Sequence, residues 1–130
     1  MNENELAAII VDRALQVHKE LGPGLFESVY ESALAHELEL AGLQIERQVP
    51  ISLEYKGIHF EEGFRADMMV NGKVIIELKS IQAVSDVHKK QLLTYLRLAD
   101  KRIGFLINFG EALMKNGITR IVNGLPERSA

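Results

Sequence analysis

Asp67 and the triplet Glu77-Leu78-Lys79 are the residues of this chain best suited to chemistry. Both lie in stretches that read as neighbouring β-strands. Side chains alternate along a strand, so Glu77 and Lys79 share one face while Val74, Ile76 and Leu78 point to the other, into a core. Two carboxylates on adjacent strands can share one divalent ion, and an all-oxygen ligand set suits Mg2+ or Mn2+. Such an ion activates water and stabilises charge on a phosphate under attack. A lysine beside it neutralises a phosphoryl oxygen or helps to orient the nucleophile. Taken alone the pattern is permissive, because exposed Asp, Glu and Lys on strands are common.

The elements that must position these residues follow from periodicity. Ala7, Ile10, Val11, Ala14, Leu15 and Leu21 recur at helical spacing, which predicts an amphipathic helix over about 4–21. Gly22-Pro23-Gly24 ends it, since proline cannot continue the hydrogen-bond ladder. A second helix is expected from about Glu27 to Ala41, with Gly42 as its stop. The period then switches to two: Val49, Ile51, Leu53 and Tyr55 alternate with polar residues, and Lys56-Gly57 turns into a short strand near Ile58–Phe60. Phe64–Val70 and Val74–Lys79 read as two further strands around Asn71-Gly72. Ser85–Ala99 is expected to be helical, Ile103–Phe109 and Ile118–Val122 to be strands, and the tail from Pro126 to fray. Strands in sequence, then a helix and a returning strand, indicate an α/β (α+β) domain with a mixed sheet flanked by helices.

Register decides whether the two carboxylates can meet. A two-residue loop at Asn71-Gly72 would pair Asp67 with Ile76 and turn it away from Glu77. The site therefore requires an odd loop or a bulge. A loop of Val70-Asn71-Gly72 would make Glu77 the diagonal neighbour of Asp67, and a bend in the strand at Asp67 could achieve the same alignment.

Neighbouring residues add weight. Gln91 and Tyr95 are four apart on the helix that follows, and so share a face. Glu27 opens a helix, where the dipole favours a carboxylate, with Tyr30 three residues on. Singly, Glu27 reads as a routine first-turn acid and Tyr30 as a core aromatic. Together, Gly24-x-x-Glu27-x-x-Tyr30, Asp67…Glu77-x-Lys79 and Gln91-x-x-x-Tyr95 resemble the GxxExxY proteins of the PD-(D/E)xK nuclease superfamily, over about Val11 to Val122. The resemblance implies a restriction-endonuclease-like fold, a mixed sheet with helices on both sides. It implies Asp67 and Glu77 as metal ligands, Lys79 as the catalytic lysine and Glu27 as the helical acid completing the metal site. It further implies that Gln91 and Tyr95 position substrate. Ala66 stands before Asp67 where the family motif has proline.

Other chemistries find less support. His18, His36, His59 and His88 show no shared metal-ligand spacing, although His88 sits three residues before Gln91. With no cysteine, disulfides, thiolate catalysis and Cys-based zinc sites are excluded, and a reducing cytoplasm is the expected location. Gly22-Pro23-Gly24 lacks the Gly-Lys-Ser/Thr of a phosphate loop. No apolar run is long enough to span a membrane, and the acidic start Met1–Glu5 lacks the marks of a secretory signal. A length of 130 residues suits one domain, 1–130, without repeats. The net charge of −3 argues against tight bulk binding to nucleic acid, but it is unevenly spread. Residues 1–64 carry 4 Lys+Arg and 12 Asp+Glu, against 11 and 6 in residues 65–130. Lys89, Lys90 and Arg97, with Lys101 and Arg102, could contact a nucleic-acid backbone or form an ordinary solvated face.

The expected function is metal-assisted hydrolysis of phosphodiester bonds in nucleic acid, with DNA as the substrate. Glu27, Asp67, Glu77 and the Leu78 carbonyl would hold the ion, directly or through water. The alternative is a non-catalytic module that binds nucleic acid or a protein on the same fold. Small size and net acidity favour dependence on a partner or a homodimer.

Overall fold

The computed structural model describes residues 1–125, so the tail expected to fray from Pro126 lies outside the described residues. Helix α1 (Glu3–Leu21) starts with reciprocal caps: Asn2 Oδ1 accepts from the Glu5 N–H, and Glu5 Oε1 accepts from the Asn2 N–H. These bonds satisfy backbone donors that the first turn leaves unpaired. Leu6, Ile10, Ala14 and Val17 form its buried stripe. Helix α2 (Glu27–Leu40) buries Tyr30, Leu34 and Leu38 at three- and four-residue spacing.

The sheet holds β1 (Ile45–Tyr55), β2 (Ile58–Val70), β3 (Val74–Lys79), β4 (Ile103–Asn108) and β5 (Ile118–Val122), in that spatial order. Only β3 and β4 run parallel, because α3 (Asp86–Ala99) carries the chain across between them. Helices α1 and α2 cover one face: their apolar stripes pack with Val74, Ile76, Leu78, Phe105 and Ile107. Helix α3 covers the other, where Leu92 and Leu96 meet Ala66, Met69, Ile75 and Leu106. The mixed sheet flanked by helices is therefore as the sequence predicts.

Two expectations are corrected. The segments Ile58–Phe60 and Phe64–Val70 belong to one strand, β2, rather than two. Glu61-Glu62-Gly63 bulges instead of turning: Ile51 faces Phe64 and Leu53 faces Phe60, leaving three residues of β2 opposite Ser52 alone. Leu53 lies over Gly63, where any Cβ would collide with it. Strand β1 also begins at Ile45, earlier than alternation from Val49 suggests. No helix among the described residues is long and apolar enough to cross a membrane.

Candidate active site

The β2–β3 loop sets the site. Val70 pairs with Val74, Met69 with Ile75 and Met68 with Ile76, so the loop is Asn71-Gly72-Lys73. Asn71 and Gly72 adopt φ of 51° and 64°, a left-handed pair open to asparagine and glycine. The loop is odd, as the site requires, but lies one residue later than Val70-Asn71-Gly72. Continued by one step, the register sets Asp67 directly opposite Glu77 rather than diagonal to it. The ladder stops there, and Asp67 takes over its function: the Leu78 N–H donates to Asp67 Oδ2 at 2.8 Å.

Alternation from Met69 already sets Asp67 on the α3 side, and a kink in the neighbouring pair brings Ala66 there as well. Met68 and Val70 pack against α1 and α2, yet Ala66, of the same parity, packs against α3. In β1 the same inversion separates Ile45 from Val49 and Ile51. It occurs where Gln48 faces Asp67, and Gln48 has a left-handed φ of 51°. Simple alternation fails across this point, so Ala66 and Asp67 both reach the α3 side.

A cleft of about 210 Å³ opens between β2, β3 and α3, lined by Glu27, Arg65, Asp67, Glu77, Lys79, His88, Gln91 and Tyr95, among others. Seven of the residues singled out for chemistry, Leu78 among them, thus line one opening. Glu77 keeps only 9% of its surface exposed, and its Oε1 is buried with no hydrogen-bond partner. Burial, then the neighbouring Asp67 carboxylate, push the Glu77 carboxyl up to about 9, against a weaker pull from Lys79. Without a cation it is held protonated near neutral pH. Tyr95 is also pushed up, by burial and then by the charges of Glu77 and Asp67, with Gln91 opposing. Its ring stacks on Phe64 at 3.9 Å between centroids, which fixes the phenol as a donor at the cleft wall.

The chain after Lys79 is clamped. Fully buried Asn108 accepts from the Ile81 and Gly110 N–H groups at 3.1 and 3.0 Å and donates to the Ile81 carbonyl at 3.0 Å. Gly110 lies so close to the Ile81 backbone that no Cβ would fit. Ser80 Oγ donates to the Leu25 carbonyl at 2.6 Å, and the Leu25 N–H donates to the Tyr30 hydroxyl at 3.1 Å. That hydroxyl in turn donates to the Gly22 carbonyl, while the Tyr30 ring stacks on Phe109. Tyr30 is thus a core anchor that sets the start of α2, and Glu27 with it, beside the end of β3.

Not every expected residue joins the carboxylate pair. Glu27 lines the cleft, but among the described residues no three Asp, Glu or His side chains converge closely enough to hold an ion between them. Leu78 has a buried side chain but lines the cleft, and its N–H donates to Asp67. Lys89, Lys90 and Arg97 lie on α3 outside the cleft lining, and none forms an ion pair among the described residues. His88 has a structural task as well, since its Nδ1 accepts from the Ser85 N–H at 3.1 Å in the cap of α3. Three residues were missed. Arg65, paired with Glu62 at 2.7 Å, enters the cleft, and its position two residues before Asp67 was an available signal. Gln48 and Glu31 border a second opening of about 460 Å³ with Glu27, Ser28 and Asp67. Nothing in the sequence announces them, because β1–β2 pairing brings Gln48 to Asp67.

A mixed five-stranded sheet with helices on both faces is a restriction-endonuclease-like fold, and its cleft is lined by Asp67, Glu77 and Lys79 with Gln91 and Tyr95. A family model of the PD-(D/E)XK nuclease superfamily matches residues 4–121, and the chain belongs to that superfamily. No curated protein and no solved structure gives a significant match.

Proposed function

We propose that the protein is a metal-dependent nuclease of the GxxExxY type that hydrolyses phosphodiester bonds in DNA. The observation that carries this reading is the register that opposes Asp67 to Glu77, with Lys79 in the same cleft. The residues fit a divalent cation on one specific count. Glu77 Oε1 is buried and unpartnered, a costly state that a cation ligated there would relieve. Asp67, Glu77 and the Leu78 carbonyl would hold Mg2+ or Mn2+, with Glu27 reaching it through water. When bound, the ion supplies an activated water and charge neutralisation at the phosphate.

The chain's own groups supply the rest. The Lys79 ammonium, on a strand clamped by Asn108, faces the oxygen on which charge develops. Tyr95 donates from a ring locked against Phe64, and Gln91 one turn earlier offers an amide to the same substrate. Lys90 and Arg97, exposed on α3, and half-buried Lys89 would contact backbone phosphates beyond the cleft.

Incubation of the purified protein with single- and double-stranded DNA, with Mn2+ or with EDTA, tests the reading. Cleavage is expected with Mn2+ alone and should be lost in Asp67→Asn. Mn2+-independent binding of DNA or of a protein, without cleavage, would instead support the non-catalytic module.

A further inference from the structure

Among the described residues, four that are not glycine adopt a left-handed backbone: Gln48, Lys56, Asn71 and Asp100. Lys56 and Asn71 sit in turns between strands, and Asp100 caps the C-terminus of α3, where this conformation is common. Gln48 alone lies inside a strand, with φ of 51°. A long, non-glycine side chain held this way is strained, and such strain persists only where surrounding contacts impose it. Its neighbours in the ladder, Arg47–Met68 and Val49–Ala66, bracket it opposite Asp67.

The contacts that impose it all lead to the site. Gln48 Nε2 donates to Glu31 Oε1 at 2.5 Å and, over a longer 3.4 Å, to Asp67 Oδ1. Glu31 is itself fixed by Arg47, whose Nε donates to it at 3.0 Å and whose Nη2 donates to Ser32 Oγ at 2.9 Å. One amide thus bridges a helix-borne carboxylate and Asp67, whose second oxygen is held by the Leu78 N–H. We infer that Gln48 is a positioning residue: tied to α2 through Glu31, it fixes the Asp67 carboxylate on the Leu78 amide in the orientation the site needs. This rests on the nuclease reading for its purpose, but not for its geometry. The weak Asp67 contact steers that carboxylate without saturating Oδ1, which stays available to a cation. Groups that orient metal ligands in this way typically alter affinity by about 10–100-fold when removed.

Gln48→Gly keeps a left-handed backbone and deletes the donor, whereas Gln48→Glu keeps the shape and substitutes a repelling acceptor. The Leu78 amide reports on Asp67 without any metal. In either variant its hydrogen exchange should accelerate about tenfold or more, while the Ile76 amide on the same strand keeps its rate. Calorimetry should give a Mn2+ Kd raised about tenfold or more in both, with no loss of Tm in Gln48→Gly, which relieves the strain. An unchanged Leu78 rate overturns the inference. So does wild-type Mn2+ affinity in these variants when Asp67→Asn has lost it. If wild type and Asp67→Asn bind Mn2+ equally, the nuclease reading fails instead, and Leu78 exchange decides the role of Gln48 alone.

Discussion

The two faces of the sheet are built to different ends. On the α1/α2 face, twenty buried residues form one continuous apolar cluster from Leu6 to Met114. On the α3 face the cluster has six, and the area beside it is given over to Asp67, Glu77, Lys79 and Tyr95. The same strand serves both: Val74, Ile76 and Leu78 fill the large core, while Glu77 and Lys79 turn away from it. Apolar burial contributes roughly 25 cal/mol per Å², so the first face supplies most of the folding free energy. A fold anchored on one side can carry a buried, unpartnered carboxylate on the other. Stability and site are thus separable, and substitutions should sort by face.

The largest effect expected is on catalysis alone. Lys79→Ala, on the α3 face, should lower DNA cleavage by about 100-fold or more, as for loss of one transition-state donor. Its Tm should stay close to wild type; wild-type cleavage by this variant would break the assignment. On the opposite face, Leu34→Ala should lose about 2–5 kcal/mol of stability, because a fully buried leucine leaves a cavity. Denaturant unfolding checks this, and residual cleavage per folded molecule should be near normal. A loss of less than 1 kcal/mol would mean that the large cluster is not the anchor.

Metal should stabilise through the α3 face only. An ion that binds the folded state alone adds about 2.7 kcal/mol at a hundredfold excess over Kd, seen as a rise in Tm with Mn2+. Asp67→Asn should abolish most of that rise yet leave the metal-free protein about as stable as wild type, since the amide oxygen can still accept from the Leu78 N–H at little steric cost. Equal Mn2+ shifts in both proteins would locate the ion elsewhere. The same face also sets the pH dependence. Glu77 has a folded-state pKa of about 9, raised from 4.5, so the folded protein holds an extra proton between these values. Its contribution to metal-free stability is complete below about 4.5 and is lost as pH rises through about 9. Glu77→Gln should flatten that decline, and Mn2+ should bind wild type more tightly as pH rises from 7 to 9, with proton release. A pH-independent Mn2+ Kd would show that Glu77 is already ionised.

Local rules settled much of this protein. Helical spacing located α1, α2 and α3, because each must bury one stripe whatever it packs against. Alternation assigned Glu77 and Lys79 to the face opposite Leu78, because β3 is regular throughout. Parity also demanded an odd β2–β3 loop before its residues could be named. Tertiary structure decided what depends on pairing between distant segments. The Glu61–Gly63 bulge, which merges two expected strands into β2, exists only because β1 lies alongside and Leu53 covers Gly63. The inversion at Gln48 and Asp67 defeats alternation, since a left-handed residue inside a strand is imposed by contacts with α2 and β2. Glu27 and Glu31 exchange prominence for the same reason. Sequence singles out the first acid of a helix, but the β1 register decides which acid of α2 is tied to Asp67.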